Sequence, residues 1–318
     1  MPVPLHVTNG DATDLAGTGL PGPVLYWRDT LHEGPVPAVA PDVLRRVRAA
    51  FLAGVDPRSL LGLGERDATL AAHREHGYQL WFEADLYDQL QLVQILATLA
   101  ELGVPADRIT LICIGEYPGI ARFGGLGELS ADQLRELPAS AAAGPLTRAA
   151  LDLATRAWAA FRAPTPVGLA AIAATRSPQL RFLGEAFDRL GREYPAVRDG
   201  LSLTERRILA AVADGAADAG TAFVRAAARE TRPYLGDTWC FALIRRLVRA
   251  RVPLLSAGAG PVGRGTPVRL TGAGARVLDG AADHVVLGGV RRWLGGVHLH
   301  GRTAAWRWDD GTETVVAG

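Results

Sequence analysis

Carboxylates follow each of the four short apolar runs in the first half of the chain: Asp11, Asp29, Glu83 with Asp85, and Glu116. Acids brought together from separate loops either raise one another's pKa or share a hard divalent cation. We therefore expect an acidic site in which Asp11, Asp29, Glu83 and Asp85 bind Mg²⁺ or Mn²⁺. The structural alternative is helix capping, because Asp11 and Asp85 both precede helical patterns.

The segments that carry these acids contain further polar side chains of chemical interest. Candidate acid–base groups are Asp29, His32, Glu33 and Glu83, since histidine titrates near neutral pH and carboxylates transfer protons when their pKa is raised. For His32 the alternative is a loop histidine without a chemical role. Candidate substrate contacts are Asn9, Asp11, Arg28, Gln89 and Glu116.

The elements that must position these groups are strands alternating with helices. Period-two and apolar runs predict strands over residues 3–8, 23–27, 78–82 and 109–114, and helical spacing predicts helices over residues 44–52 and 86–102. Strands separated by helices favour right-handed crossovers and a mainly parallel, Rossmann-like sheet. In such a sheet the carboxyl ends of the strands share one edge, where ligands bind.

The second half of the chain differs in charge. Residues 1–199 contain 18 arginines and 23 acids, whereas residues 200–318 contain 16 arginines and 10 acids. We expect an α/β domain over 1–163, a helical connector over 164–199, and a winged-helix-like domain over 200–318. The last has helical patterns at 206–212, 221–229 and 238–249, and Asp310-Gly311 predicts a closing β-hairpin.

The arginines of this second half suggest an alternative function. Arg225, Arg245, Arg246 and Arg249 lie on predicted helices and could neutralise DNA phosphates. Winged-helix modules also serve as dimerisation or protein-docking units, so DNA is one of two interpretations.

Composition excludes several classes of chemistry. The chain has 318 residues, and all 34 basic residues are arginine, which excludes a Schiff-base lysine, a pyridoxal phosphate lysine and a P-loop lysine. Cys113 and Cys240 are the only cysteines, too few for a structural zinc site, and nothing points to haem or an iron–sulfur cluster. Without a membrane-length apolar stretch or a signal peptide, the sequence predicts a soluble, cytoplasmic protein with no membrane partner; it does not predict an oligomeric state.

Several longer motifs carry a family resemblance. They are residues 5–11 (LHVTNGD), 27–29 (WRD) with 32–35 (HEGP), 81–90 (WFEADLYDQL), 200–205 (GLSLTE) and 293–299 (WLGGVHL). The chain resembles an uncharacterised bacterial family catalogued as a domain of unknown function (number eighteen thirty-five). The resemblance implies no reaction. From the residues we expect an enzyme acting on a phosphorylated or otherwise polar small molecule, with a metabolite-responsive DNA-binding regulator or a protein-docking scaffold as alternatives.

Overall fold

The computed structural model describes residues 3–54 and 62–318. The chain forms two compact units. Unit 1 contains the residues up to Phe187 together with Gly295–Val297, and unit 2 contains Asp188–Leu294 and His298–Gly318. The chain passes from unit 1 to unit 2 at Phe187, inside the segment 164–199 that the sequence predicts to be a connector.

The strands of unit 1 are β1 (Leu5–Thr8), β2 (Val24–Tyr26), β3 (Gly34–Pro35), β4 (Tyr78–Glu83), β5 (Ile109–Ile114) and β6 (Ala143–Pro145). Five of them form one sheet with the order β2-β1-β4-β5-β6, and β3 lies outside this sheet. Strands β2, β1, β4 and β5 run parallel, and only β6 is antiparallel to its neighbour. The predicted α/β class with a mainly parallel sheet is therefore confirmed.

The helices of unit 1 lie between the later strands of the unit and after its last strand. They are α1 (Pro41–Ala53), α2 (Leu63–Ala72), α3 (Leu86–Glu101), α4 (Ala131–Glu136), α5 (Arg148–Arg162), α6 (Leu169–Ala173) and the start of α7 (Leu183–Gly191). Helix α3 packs against α5 and is buried on almost every side. This explains its long run of leucine, isoleucine and valine, because a helix that is apolar all round belongs in a core.

Two glutamines inside this apolar helix connect it to the chain after β2. Trp27 Nε1 donates to Gln94 Oε1 at 2.9 Å, and Gln91 Nε2 donates to the carbonyl of Asp29 at 3.0 Å. Buried amides are stable only when hydrogen-bonded, so these pairs fix the loop that carries Asp29 against α3.

Unit 2 begins with three helices and a two-stranded hairpin. Its elements are the end of α7, then α8 (Leu203–Ala213), α9 (Ala219–Ala227), α10 (Asp237–Arg249), β7 (Leu255–Ala257), β8 (Val268–Leu270), α11 (Gly272–Leu278), α12 (His284–Gly288), β9 (Val290–Gly295), β10 (Val297–Gly301), β11 (Trp306–Asp309) and β12 (Thr314–Ala317). Apolar side chains of α8, α9, α10, β7 and β8 share one core.

Two local features of unit 2 follow from short sequence motifs, and the second of them, the closing β-hairpin, confirms a prediction. Ser202 and Glu205 form a capping box at the start of α8, each side chain accepting a hydrogen bond from the other's backbone N–H. Strands β11 and β12 pair antiparallel around the Asp310-Gly311 turn, with Asp309 opposite Thr314. Within the described ranges, no helix is both long enough and apolar enough to cross a membrane.

Candidate acidic site at the carboxyl edge of the sheet

The parallel strands of unit 1 bring their carboxyl ends to one edge of the sheet. Thr8, the last residue of β1, pairs with Trp81 of β4, and Glu83, the last residue of β4, pairs with Ile114 of β5. Asn9 therefore leaves β1 beside the end of β4, where α3 begins three residues after Glu83.

Three carboxylates meet at this edge. Glu83, Asp85 and Asp88 each offer an oxygen, and these oxygens all lie within 4.8 Å of one another. Asp85 and Asp88 are buried, with Asp88 only 1% exposed, and Glu83 is partly buried. Because β4 ends at the first acid and α3 begins between the other two, one strand-to-helix turn supplies the whole cluster.

Hydrogen bonds give Asp85 and Asp88 defined orientations. Asp85 is the N-cap of α3, as the sequence predicts, and accepts from the backbone N–H of Asp88 at 3.1 Å. Asp88 accepts from the backbone N–H of Glu83 at 2.9 Å and from Asn9 Nδ2 at 2.8 Å. Asp88 thus accepts two hydrogen bonds, one on each oxygen, and a carboxylate has about four lone pairs, so acceptor capacity remains.

A glycine-containing loop lies against Glu83. Leu126 donates its backbone N–H to Glu83 Oε1 at 2.7 Å. Gly125 has φ +148°, and a Cβ placed on it would stand 2.5 Å from Glu83 Oε2. Gly127 also approaches the backbone of Ala12 closely, since a Cβ placed on it would stand 2.9 Å from the Ala12 carbonyl oxygen. Gly125 thus fits against Glu83, and Gly127 against Ala12, only because neither residue has a side chain at the contact point.

The carboxyls of the cluster are shifted towards their protonated forms. Burial, followed by the charge of Asp85, raises the pKa of Glu83 from 4.5 to about 8, while the hydrogen bonds from Leu126 and Asn9 offset part of that rise. Burial also raises the pKa of Asp88 well above its usual range, with Asp85 and Glu83 adding to the effect. The site therefore favours either bound protons or a bound cation over three bare negative charges.

The predicted ligand Asp11 takes a different place. It is exposed and forms an ion pair with Arg28, another residue predicted to contact substrate. Asp11 does not belong to the three-acid cluster. The pair joins the loop after β1 to the loop after β2, at the same edge of the sheet.

Asp29 is engaged in a buried ion pair. Its Oδ1 accepts from Arg48 Nη2 at 2.7 Å and from Arg48 Nε at 3.0 Å, and both side chains are 1% exposed. Arg48 also donates to the carbonyls of Thr30 and Glu33, at 2.9 and 2.8 Å. An arginine on α1 thus holds the whole turn after β2, and Asp29 neutralises it.

The remaining candidate residues do not belong to the three-acid cluster and differ in burial. His32 and Glu33 are buried, and the His32 ring lies edge-on to Tyr87, with the ring centres 5.9 Å apart. Gln89 donates to the carbonyl of Glu83 at 2.6 Å, so it supports the strand end. Glu116 is exposed and lies outside the cluster.

The candidate residues predicted from the sequence include neither Asp88 nor Arg48. The signal for Asp88 is its place three residues after an N-cap acid, which turns its side chain back towards the strand end. The signal for Arg48 is its spacing, four residues from both Leu44 and Leu52, which puts it on the buried face of α1.

The arginines of the DNA-binding alternative all lie in unit 2. Arg225 donates to the carbonyl of Asp214 at 2.7 Å, near the end of α8. Arg245, Arg246 and Arg249 lie on α10 and line a common cleft.

No protein-family model matches this chain, and no curated protein matches it either.

Proposed function

We propose that this protein is an enzyme that binds a divalent cation, Mg²⁺ or Mn²⁺, at Glu83, Asp85 and Asp88 and acts on a phosphorylated or otherwise polar small molecule. The observation that carries the proposal is the meeting of three carboxylates within 4.8 Å, with two of them buried, at the ligand-binding edge of a parallel sheet.

The electrostatics of the site support a cation. Carboxylates this close repel one another, and in a buried position water screens the repulsion poorly. Protonation of Glu83 and Asp88 reduces this repulsion, in keeping with their raised pKa values. A bound divalent cation reduces it as well, because it neutralises the same charges while leaving all three acids ionised.

The oxygens suit Mg²⁺ or Mn²⁺ better than a softer metal. Glu83, Asp85 and Asp88 offer carboxylate oxygens, and Asn9 places an amide beside them. Three carboxylates leave positions of an octahedral ion to water and to a substrate oxygen. The cation would polarise that oxygen or activate a water, which is the chemistry of metal-assisted phosphoryl and acyl transfer.

Each neighbouring residue has a definite part in this proposal. Asn9 orients Asp88, and Gln89 holds the carbonyl of Glu83 in place. The Gly125-Leu126 backbone lies against the Glu83 carboxylate and donates a hydrogen bond to it. Without a cation, Glu83 would carry a proton at neutral pH and could serve as a general acid, since its pKa is about 8.

Titration calorimetry with MnCl₂ and MgCl₂ on the full chain tests cation binding. The proposal expects one saturable site in the wild type and loss of its heat in Asp85→Asn and in Asp88→Asn. Glu116→Gln is the matched control, because it removes a predicted acid that lies outside the cluster. A titration without saturable heat, or equal loss in Glu116→Gln, would reject the site.

A further inference from the structure

Unit 2 contains a cleft that plays no part in the acidic site. It has a volume of about 330 Å³ and lies between α10, the start of α12 and β9. Arginines line two of its walls: Arg245, Arg246 and Arg249 from α10, and Arg291 and Arg292 from β9.

The charge of this cleft is positive after its acids are counted. Five arginines face two acids, Glu193 and Glu205. Glu193 is already paired with Arg189 at 2.9 Å and with Arg292 at 2.7 Å. Glu205 accepts from the backbone N–H of Ser202 in the capping box of α8. Two carboxylates cannot neutralise five guanidinium groups, so the lining of the cleft keeps a net positive charge.

Three of the arginines have no partner among the described residues. Arg245, Arg249 and Arg291 form no ion pair and no side-chain hydrogen bond with any part of the chain in 3–54 or 62–318. Elsewhere in unit 2, Arg206 pairs with Asp199 and Arg307 pairs with Asp283. What distinguishes this cleft is that three unpaired arginines line one concave space.

The dipole of α10 explains only part of this arrangement. Arg246 and Arg249 lie in its last turn, where a cation is stabilised by the carbonyl end of the helix. Arg291 lies on a strand and has no such partner. Guanidinium groups that line one concave space from a helix and from a strand repel one another unless an anion joins them.

We propose that this cleft binds a phosphorylated small molecule. The planar guanidinium forms paired hydrogen bonds to phosphate oxygens, and several arginines match a group with more than one negative charge. The volume falls within the range of small-molecule sites. A concave cleft of this size suits a compact ligand better than the broad backbone of a DNA duplex, whose phosphates need an extended basic surface.

Calorimetric titration of the full chain with inorganic pyrophosphate tests the proposal, with the ionic strength held constant. We expect saturable binding in the wild type and at least a tenfold loss of affinity in the double variant Arg245→Gln with Arg291→Gln. Both positions lack protein partners, so the variant should fold normally, which far-UV circular dichroism and thermal melting verify. Arg269→Gln is the matched control, since this exposed arginine lies on β8, outside the cleft.

Several results would overturn the proposal. The wild type showing no heat with pyrophosphate would do so, as would unchanged affinity in the double variant. An equal loss in Arg269→Gln would show a general effect of charge instead of a site. Tighter binding of a short DNA duplex, falling steeply with salt and lost in the same double variant, would assign these arginines to nucleic acid.

Discussion

The side chain of Asp88 accepts the backbone N–H of Glu83 at 2.9 Å, and the carboxylates of the two residues lie within 4.8 Å of each other. The hydrogen bond holds the end of β4 against the start of α3, and the same contact forces two acids together. The hydrogen bond that stabilises this turn is therefore also the contact that brings the two carboxyl groups close together. Asp85, as the cap of α3, adds the third charge.

The first prediction concerns the pH dependence of stability without a cation. A glutamate without perturbation has a pKa of 4.5, whereas Glu83 in the folded chain has a pKa of about 8. Between these values the folded state holds a proton that the unfolded state has lost, so the free energy of unfolding must fall as pH rises. One proton corresponds to a slope of at most about 1.4 kcal/mol per pH unit.

Urea unfolding at several pH values measures this slope. The contribution of Glu83 is the difference between the wild type and Glu83→Gln, which stays neutral throughout. We expect the wild type to lose stability relative to the variant from pH 4.5 to about 8 and to level off above that. Parallel curves for the two proteins would show that Glu83 titrates normally.

The second prediction is that cation binding releases protons. A cation must displace the proton of Glu83 below pH 8, so the apparent affinity for Mn²⁺ should rise about tenfold per pH unit for each proton displaced. Calorimetry in two buffers with different heats of ionisation counts the released protons directly. A pH-independent affinity between pH 6 and 8 would contradict this prediction.

The third prediction concerns the glycine loop. In Gly125→Ala the new Cβ would stand 2.5 Å from Glu83 Oε2, and the backbone would be held at φ +148°. We expect destabilisation of about 1–3 kcal/mol and weaker Mn²⁺ binding, because the Glu83 carboxylate must move. Gly119→Ala controls for backbone strain, since Gly119 has φ +85° and nothing within 4 Å of its Cβ position. Equal Mn²⁺ affinities in the two variants would show that the loop does not position Glu83.

The fourth prediction concerns the structural role of Asp29 as the partner of Arg48. Arg48→Met leaves the Asp29 carboxylate buried without its partner, which should cost about 3–5 kcal/mol of stability. The double variant Arg48→Met with Asp29→Leu removes both charges and should regain part of that loss. Urea unfolding of the three proteins measures this; a double variant as unstable as Arg48→Met would show that the lost carbonyl contacts of Arg48 dominate.

The fifth prediction concerns the buried ion pairs of unit 2. Burial alone would raise the pKa of Glu193, but the charges of Arg292 and Arg189 hold it well below its usual range. Glu193→Gln leaves both arginines without that charge, and we expect a loss of about 3–5 kcal/mol. Glu313→Gln is the control: Glu313 pairs with Arg192 while 71% exposed, so its loss should cost about 0–1 kcal/mol. Similar melting temperatures for the two variants would contradict this.

Sequence patterns predicted the sheet of unit 1 well where the strands are fully buried. Residues 109–114 form β5 over the predicted range, and the helix predicted over 86–102 is α3, Leu86–Glu101. Long apolar runs leave few alternatives, because burial and period both point to one element. Strand β6, with the sequence Ala143-Gly144-Pro145, was not predicted, since three small residues have no apolar pattern.

The location of the acidic site could be predicted from the sequence, but the full set of residues that form it could not. Parallel strands had to bring Glu83 and Asp85 to the sheet edge, and the structure joins them with Asp88. The position of Asp29 depended on Arg48, which comes from α1, nineteen residues further along the chain. No local pattern at Asp29 reveals that partner, because the ion pair depends on how α1 packs against the loop.

The central claim is that Glu83, Asp85 and Asp88 bind a divalent cation, and anomalous diffraction from crystals grown with MnCl₂ tests it most directly. We predict one strong manganese peak with an oxygen of each of these three residues at about 2.0–2.6 Å. A peak elsewhere in the molecule, or no peak at the three acids at saturating manganese, would contradict the account.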